Sequence, residues 1–274
     1  MKYMKIMFML VLAIFIFAAA SVCASDVNNT VIASEDGLSQ ADLISSKEDK
    51  LTGQTDNVEP ISDENSGTFA ELQANITHAT QGSTLTLDKN YECKDSYDTE
   101  GILIDKSITI DGNGFKIDAQ GKSRIFKITA DNVILKNIIF TNGKTTENGG
   151  AVYFEKSGAV TNCNFTNNHN EGGAVFFTGN GDVTNCNFAG NYGTNGSAIY
   201  FSSSGTLTNC NFTGNTATKN GGAVYFKNNG VLRNCNFKKS VSKNNGGAVY
   251  FEKSGNVTNC NFTGNTATKN GGAV

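Results

Sequence analysis

From residue 149 onward, apolar residues come in short alternating bursts broken by glycine or asparagine, and the same burst returns at a nearly fixed step. GGAVYF at 149–154 reappears as GGAVFF from Gly172, GSAIYF from Gly196, and GGAVYF from Gly221 and Gly246, then starts again at Gly271. A second block, NCNF, keeps phase with the first and sets Cys163, Cys186, Cys210, Cys235 and Cys260 at steps of 23, 24, 25 and 25 residues. Alternation with a period of two predicts strands, and the 3.6-residue period of a helix is missing. Repetition at a fixed step predicts a solenoid whose units bury their apolar faces only by stacking on one another.

The columns that never turn polar name the inward set. Val152 and Phe154 recur as Val175 and Phe177, Ile199 and Phe201, Val224 and Phe226, and Val249 and Phe251; Val160, Cys163 and Phe165 recur in the same way. Gly and Asn at the breaks supply the left-handed backbone that tight corners need. Like sequence over like sequence predicts parallel strands about 4.8 Å apart, and parallel crossovers are right-handed. The expected fold is all-β, a right-handed parallel β-helix of roughly seven coils starting near residues 101, 121, 149, 172, 196, 221 and 246, with an eighth cut off at Val274. Ahead of it, Thr68-Phe69-Ala70-Glu71 reads as a capping box, with Phe69, Leu72, Ile76 and Ala79 at helical spacing. A short capping helix is expected there, covering the open end of the stack. The organisation predicted is an N-terminal cap and first coil over 66–120, then repeats over 121–274 that belong to a longer protein.

The first 24 residues change the picture of location: Lys2 and Lys5, an apolar run over 6–20, and Val22-Cys23-Ala24 form a secretory signal peptide. Residues 25–65 carry ten Asp and Glu against two Lys and no periodicity, which predicts an acidic disordered linker. Residues 120–274 reverse the balance, with fourteen Lys and Arg against six acids. A basic stack of this kind either meets an acidic surface or is solvated, and Arg233, Lys238, Lys239 and Lys243 read as a solvated edge of one coil.

The GGA[VI] block followed by NCNFxxN resembles the repeat of chlamydial polymorphic membrane proteins. With DGNGFKIDAQGKSRIFKI and DNVILKNIIFTN ahead of it, the arrangement over about 68–274 resembles the adhesin-like surface proteins of methanogenic archaea. The resemblance implies a β-helix on an exported surface protein and no particular ligand. The expected function is a non-catalytic adhesin or stalk, secreted or on the cell surface, whose partners are surface glycans or another cell. No nucleic acid partner is expected, and a membrane enters only through the signal peptide or a further C-terminal anchor. The rival is a polysaccharide lyase or hydrolase with its active coils elsewhere in the full protein.

Candidate chemistry is sparse. Metal sites want CxxC pairs or mixed Cys and His clusters, which the Cys163 to Cys260 column lacks, so it reads as stacked, buried thiols, with pairing of neighbours as the alternative. Cys93 reads as a packing residue. Polysaccharide cleavage needs converging carboxylates or acidic Ca²⁺ ligands. Glu147, Glu155, Glu171, Asp182 and Glu252 are scattered, and Glu155 and Glu252, four coils apart in one column, are separated by about 19 Å. Asp105, Asp111 and Asp118 form the one acid cluster, near Arg124, and turn chemistry accounts for Asp111. No catalytic residue, metal or cofactor is expected, and His78 and His169 read as incidental. Parity leaves Tyr153, Phe176, Tyr200, Tyr225 and Tyr250 outside if Val152 and Phe154 are inside. That column is a candidate stripe for stacking on sugars or a partner, or else a ladder that stiffens the solenoid. Sequons at Asn28, Asn75, Asn164, Asn195, Asn211, Asn256 and Asn261 are candidate glycosylation sites, although a chain rich in Asn and Thr forms sequons by chance.

Overall fold

The computed structural model describes residues 65–94 and 99–274. The signal peptide, the acidic linker up to residue 64 and Asn28 lie outside the described residues.

Each coil carries three short strands, as in Val152–Phe154, Gly158–Thr161 and Asn164–Thr166. Each strand pairs in parallel with its own repeat in the next coil, with Val152 opposite Val175, Val160 opposite Val183 and Phe165 opposite Phe188. Three sheets of seven, eight and nine strands result, called the first, second and third in the order just given. The solenoid is right-handed and has about eight turns. A fourth sheet of four strands, Tyr192–Gly193, Thr216–Ala217, Val241–Ser242 and Thr266–Ala267, was not foreseen from the sequence. Its strands are too short for an alternation to show.

The seven expected coils are present, and one more precedes them. In this extra coil a helix, α1 (Phe69–His78), takes the place of the first-sheet strand, followed by Thr84–Thr86 and Tyr91–Glu92. Helix α1 starts where the capping box closes: the Glu71 N–H donates to Thr68 Oγ1 (3.2 Å), and the Thr68 N–H donates to Glu71 Oε2 (2.7 Å). Phe69, Leu72 and Ile76 are buried against the core. Gln73 does more than face water. Its Oε1 accepts from the Leu103 N–H (2.7 Å) and its Nε2 donates to the Leu103 carbonyl (3.1 Å), so one side-chain amide stands in for the peptide of a missing strand. The edge strand Ile102–Ile104 is thereby closed to pairing with another chain.

Corners are built from residues that tolerate a left-handed backbone. Asn162, Asn185, Asn209, Asn234 and Asn259 turn the chain from the second sheet to the third with φ of 53 to 55°, a conformation that costs most L-residues about 1–2 kcal/mol. Gly196 turns it into the first sheet at φ 55°, where a Cβ would lie 2.3 Å from the Ile199 carbonyl oxygen. Inside, like residues stack on like. Phe165, Phe188, Phe212 and Phe237 lie ring on ring at 4.6–5.0 Å, and the Phe154 column repeats this at 4.6–5.2 Å. Beside them runs a buried amide ladder. Asn168 Nδ2 and its backbone N–H both donate to Asn191 Oδ1 (3.0 Å each), and Asn191 donates likewise to Asn215 (3.0 and 3.1 Å). The second amide hydrogens reach the Phe140, Phe165 and Phe188 carbonyls. These pairings make the burial of three asparagines tolerable, since an unpaired amide in the core is costly. The ladder breaks at Ser240, whose buried Oγ has no partner.

Candidate functional site

The aromatic column was the leading candidate, and parity holds: Tyr153 stands opposite Phe176, then Tyr200, Tyr225 and Tyr250, on the outer face of the first sheet. The expectation that it faces solvent does not hold. Phe176 and Tyr225 are only 8 % and 9 % exposed, and the other three rings are half-buried. Each ring lies against the next at 4.7–5.5 Å, so the faces that would stack on a sugar are occupied by one another. Glycine corners make the room: a Cβ on Gly196 would approach Tyr225 Cβ to 2.8 Å. The N-terminal end of the column is closed by Arg124, whose guanidinium sits 5.3 Å from the Tyr153 ring centre. Burial raises the Tyr200 phenol, and burial together with a hydrogen bond to Glu252 (2.5 Å) raises Tyr225. The ladder reading fits these contacts.

The acid cluster expected near Arg124 is not assembled either. Arg124 is fully buried and holds the Gly149 and Asn148 carbonyls (3.0 Å each), with Glu100 and Glu147 as its carboxylate partners (3.4 and 3.5 Å). Glu100 is shared with Lys127 (2.6 Å), whose hydrogen bond holds that carboxyl below its ordinary value. Asp111 and Asp118 lie on different sheets, with Lys136 (3.0 Å) and Lys116 (3.5 Å) as ion partners. Asp105 is exposed. The three aspartates do not converge.

The cysteine column lies in the core from Cys163 to Cys235, while Cys260 in the last coil is only half-buried. The Cys163, Cys186 and Cys210 thiols reach the Leu135, Val160 and Val183 carbonyls at 3.6–3.7 Å. The hydrogen bond with the Cys186 thiol, helped by burial, pushes Cys210 up to about 12; Cys186 and Cys235 are raised in the same way. Cys93 is buried in the cap. Among the sequons, Asn75, Asn211, Asn256 and Asn261 are exposed and Asn164 is half-buried. Asn195 is half-buried and its Ser197 hydroxyl is fully buried on the Gly222 carbonyl (2.5 Å), so the folded coil hides that sequon's hydroxyl. His78 bonds the Ala74 carbonyl (2.7 Å) at the end of α1, and His169 stacks on Tyr192 at 5.7 Å.

Sequence reading missed a groove. A cleft of about 710 Å³ is lined by Glu92, Lys116, Asp118, Gln120, Lys144 and His169 among others, ahead of the first strand of the fourth sheet. Glu92 is buried and accepts from Ser66 Oγ (2.8 Å) and Gln120 Nε2 (3.2 Å). No sequence signal announced it, because its lining comes from four coils.

A right-handed stack of parallel coils held by side-chain ladders defines the class: a β-helix repeat protein. Residues 68–237 match the right-handed β-helix region family, and the chain belongs to that family. Residues 259–274 match the Chlamydia polymorphic membrane protein repeat. No curated protein and no solved structure matches the chain.

Proposed function

We propose that the chain is the β-helical stalk of an exported cell-surface protein, adhesive in role and without catalytic activity of its own. The observation that carries the reading is the continuity of the ladders: aromatic, phenylalanine and asparagine columns pass from coil to coil in register. Eight coils at about 4.8 Å give a rod of about 38 Å, in which one column of stacked rings runs from Phe140 to Phe262. The repeat match at 259–274 belongs to a family associated with the cell surface, which supports display outside the cell. Among the described residues, no helix is long and apolar enough to cross a membrane. Asp111, Asp118, Glu92 and Glu100 are each engaged in structural pairs, which favours a stalk over a lyase or hydrolase.

An antibody against folded 66–274 should label intact cells that produce the chain, and labelling only after permeabilisation would refute display. Incubation with polygalacturonate should release no new reducing ends or unsaturated products. Either product, with turnover, would refute the non-catalytic reading.

A further inference from the structure

One coil departs from its neighbours in a costly way. Where the coils before and after read FTGNTATKN, this one reads FKKSVSKNN over 237–245. Lys239 takes the left-handed corner (φ 54°) that Gly190, Gly214 and Gly264 occupy elsewhere. A lysine there is strained where glycine is not. Ser240 replaces the ladder asparagine and leaves its hydroxyl buried without a partner. Two local losses are accepted in one coil, and what the coil gains is a net two exposed ammonium groups: Lys238, Lys239 and Lys243 stand where each neighbouring coil carries a single lysine, Lys219 or Lys269.

Those groups fall on one surface. The outer residues of the fourth sheet form a column, Tyr192, Thr216, Val241 and Thr266, while Gly193, Ala217 and Ser242 face inward. Tyr192 and Val241 are 42 % and 38 % exposed, the largest apolar groups on this strip. Isolated bridges continue the column through His169 to Lys144, at the cleft. Lys238 and Lys239 stand on one margin of the strip. On the other margin the backbone ladder stacks Lys219, Asn244 and Lys269, with Lys243 beside Asn244. Cations therefore recur at each coil step, about 4.8 Å apart along the axis. Among the described residues every ion pair lies between residues 71 and 147, so none of these five lysines is neutralised. The same margin carries Glu147 and Glu171 in earlier coils, so the cationic track begins at Lys219.

We infer that this strip binds an acidic polysaccharide running parallel to the solenoid axis. Carboxylates of successive sugar residues would meet the lysines on both margins, and the pyranose C–H faces would lie on Val241 and Tyr192. A pyranose unit is about as long as one coil is tall, so a uronate chain keeps step with the repeat. Exposed apolar groups between cations suit a sugar, which has an apolar face and a charged edge, better than a bare polyphosphate. The inference rests on the surface reading only in that the polymer must be reachable from outside the cell.

The test uses polygalacturonate as probe, neutral dextran as control and duplex DNA as competitor, by biolayer interferometry on the described chain. Wild-type protein should bind polygalacturonate and not dextran, and binding should weaken as salt rises from 50 to 200 mM, as screening requires. The variant K238T/K239G/K243T restores the residues of the preceding coil, so it has a folded precedent within the molecule. It should bind at least tenfold more weakly while its thermal midpoint stays level or rises, because the strained lysine is gone. V241S should weaken binding severalfold with the salt dependence unchanged. Equal binding of the triple variant, equal binding of dextran, or DNA binding as tight as polygalacturonate would each overturn the inference. Antibody labelling of intact cells is independent of all three, so a failure here is distinguishable from failure of the stalk reading.

Discussion

The buried asparagine ladder permits a quantitative test at Asn191. Substituting alanine removes Oδ1, the acceptor for both the Asn168 backbone N–H and Asn168 Nδ2, and removes the donor to the Phe165 carbonyl (3.1 Å). Asn168 is fully buried and Asn191 is 1 % exposed, so water does not compensate. Each buried group left unpaired costs about 1–3 kcal/mol, and Asn168 Nδ2 keeps a long bond to Phe140, so the three losses together come to about 3–6 kcal/mol. The matched control is Asn187→Ala in the outer ladder, where Asn187 Nδ2 meets Asn164 Oδ1 at 2.8 Å on the exposed face; a surface change of that kind is worth about 0.5 kcal/mol or less. Urea unfolding followed by far-UV circular dichroism gives both values. Because a solenoid is coupled mainly between neighbours, the loss at Asn191 should also broaden or split the transition. The complementary change, Ser240→Asn, supplies the missing rung and should stabilise by about 1–2 kcal/mol. If Asn191→Ala costs no more than Asn187→Ala, the ladder is not what makes buried asparagine tolerable and the reasoning fails.

The remaining predictions concern the columns beside it. Tyr200→Ser with Tyr225→Ser should destabilise by several kcal/mol in the same urea assay, because each ring is sandwiched between neighbours; an unchanged midpoint would restore the stripe as a free surface. At pH 8 a disulfide reagent should leave Cys163 to Cys235 unlabelled in the folded protein, with Cys260 reacting first and all reacting in denaturant, since the four are buried and thiol–thiol hydrogen bonds raise Cys186, Cys210 and Cys235. Rapid labelling of more than one thiol in the native state would contradict that. Asp111 is held below its ordinary value, first by the Asn137 hydrogen bond and then by Asn113 and Lys136. Its contribution is therefore fully present above the unfolded carboxyl value of about 3.9 and is lost as pH falls through the lower folded value. Asp111→Asn should flatten the acid limb of stability between about pH 4 and 2, and an unaltered limb would exclude the role.

How much of this was legible depended on period. The strands Val152–Phe154 and Asn164–Thr166 were visible because apolar residues alternate in them and recur in every coil. The capping box of α1 was visible because its two partners are three residues apart. The fourth sheet was not, since two-residue strands such as Thr216–Ala217 carry no alternation and their pairing is written only in three dimensions. Nor was the burial of the Tyr column, because parity gives the side of a strand and not the occupancy of its ring faces. Glycine makes the room in both columns: the corner at Gly196, where a Cβ would lie 2.8 Å from Tyr225 Cβ, serves the Tyr column, and Gly205, where a Cβ would lie 2.3 Å from the Phe201 ring, serves the Phe column inside. The glycines were read as corners, and their second role as space for aromatic columns went unread.

The early acids illustrate how a ladder can account for residues that otherwise suggest chemistry. In the exposed ladder of the third sheet Asn236 donates from Nδ2 to Asn211, Asn211 to Asn187 and Asn187 to Asn164, each toward the preceding coil. A chain of amides running in one direction ends on an oxygen that must accept while its own amide hydrogens find nothing further back. A carboxylate solves this, because it accepts and has no hydrogens to place. Asn162 donates to Asn137, and Asn137 donates to Asp111 at 2.9 Å; Asn142 donates to Asp118 at 3.0 Å. The free oxygens of both aspartates then meet Lys136 and Lys116. Asp111 and Asp118 also accept from the backbone N–H of Asn113 and Gln120, which fixes the left-handed corner in the earliest coil where each column begins. Both carboxylates accept from an asparagine of the following coil, with their oxygens committed to backbone, amide and lysine partners. That commitment accounts for Asp111 and Asp118 as structural acids of the early coils.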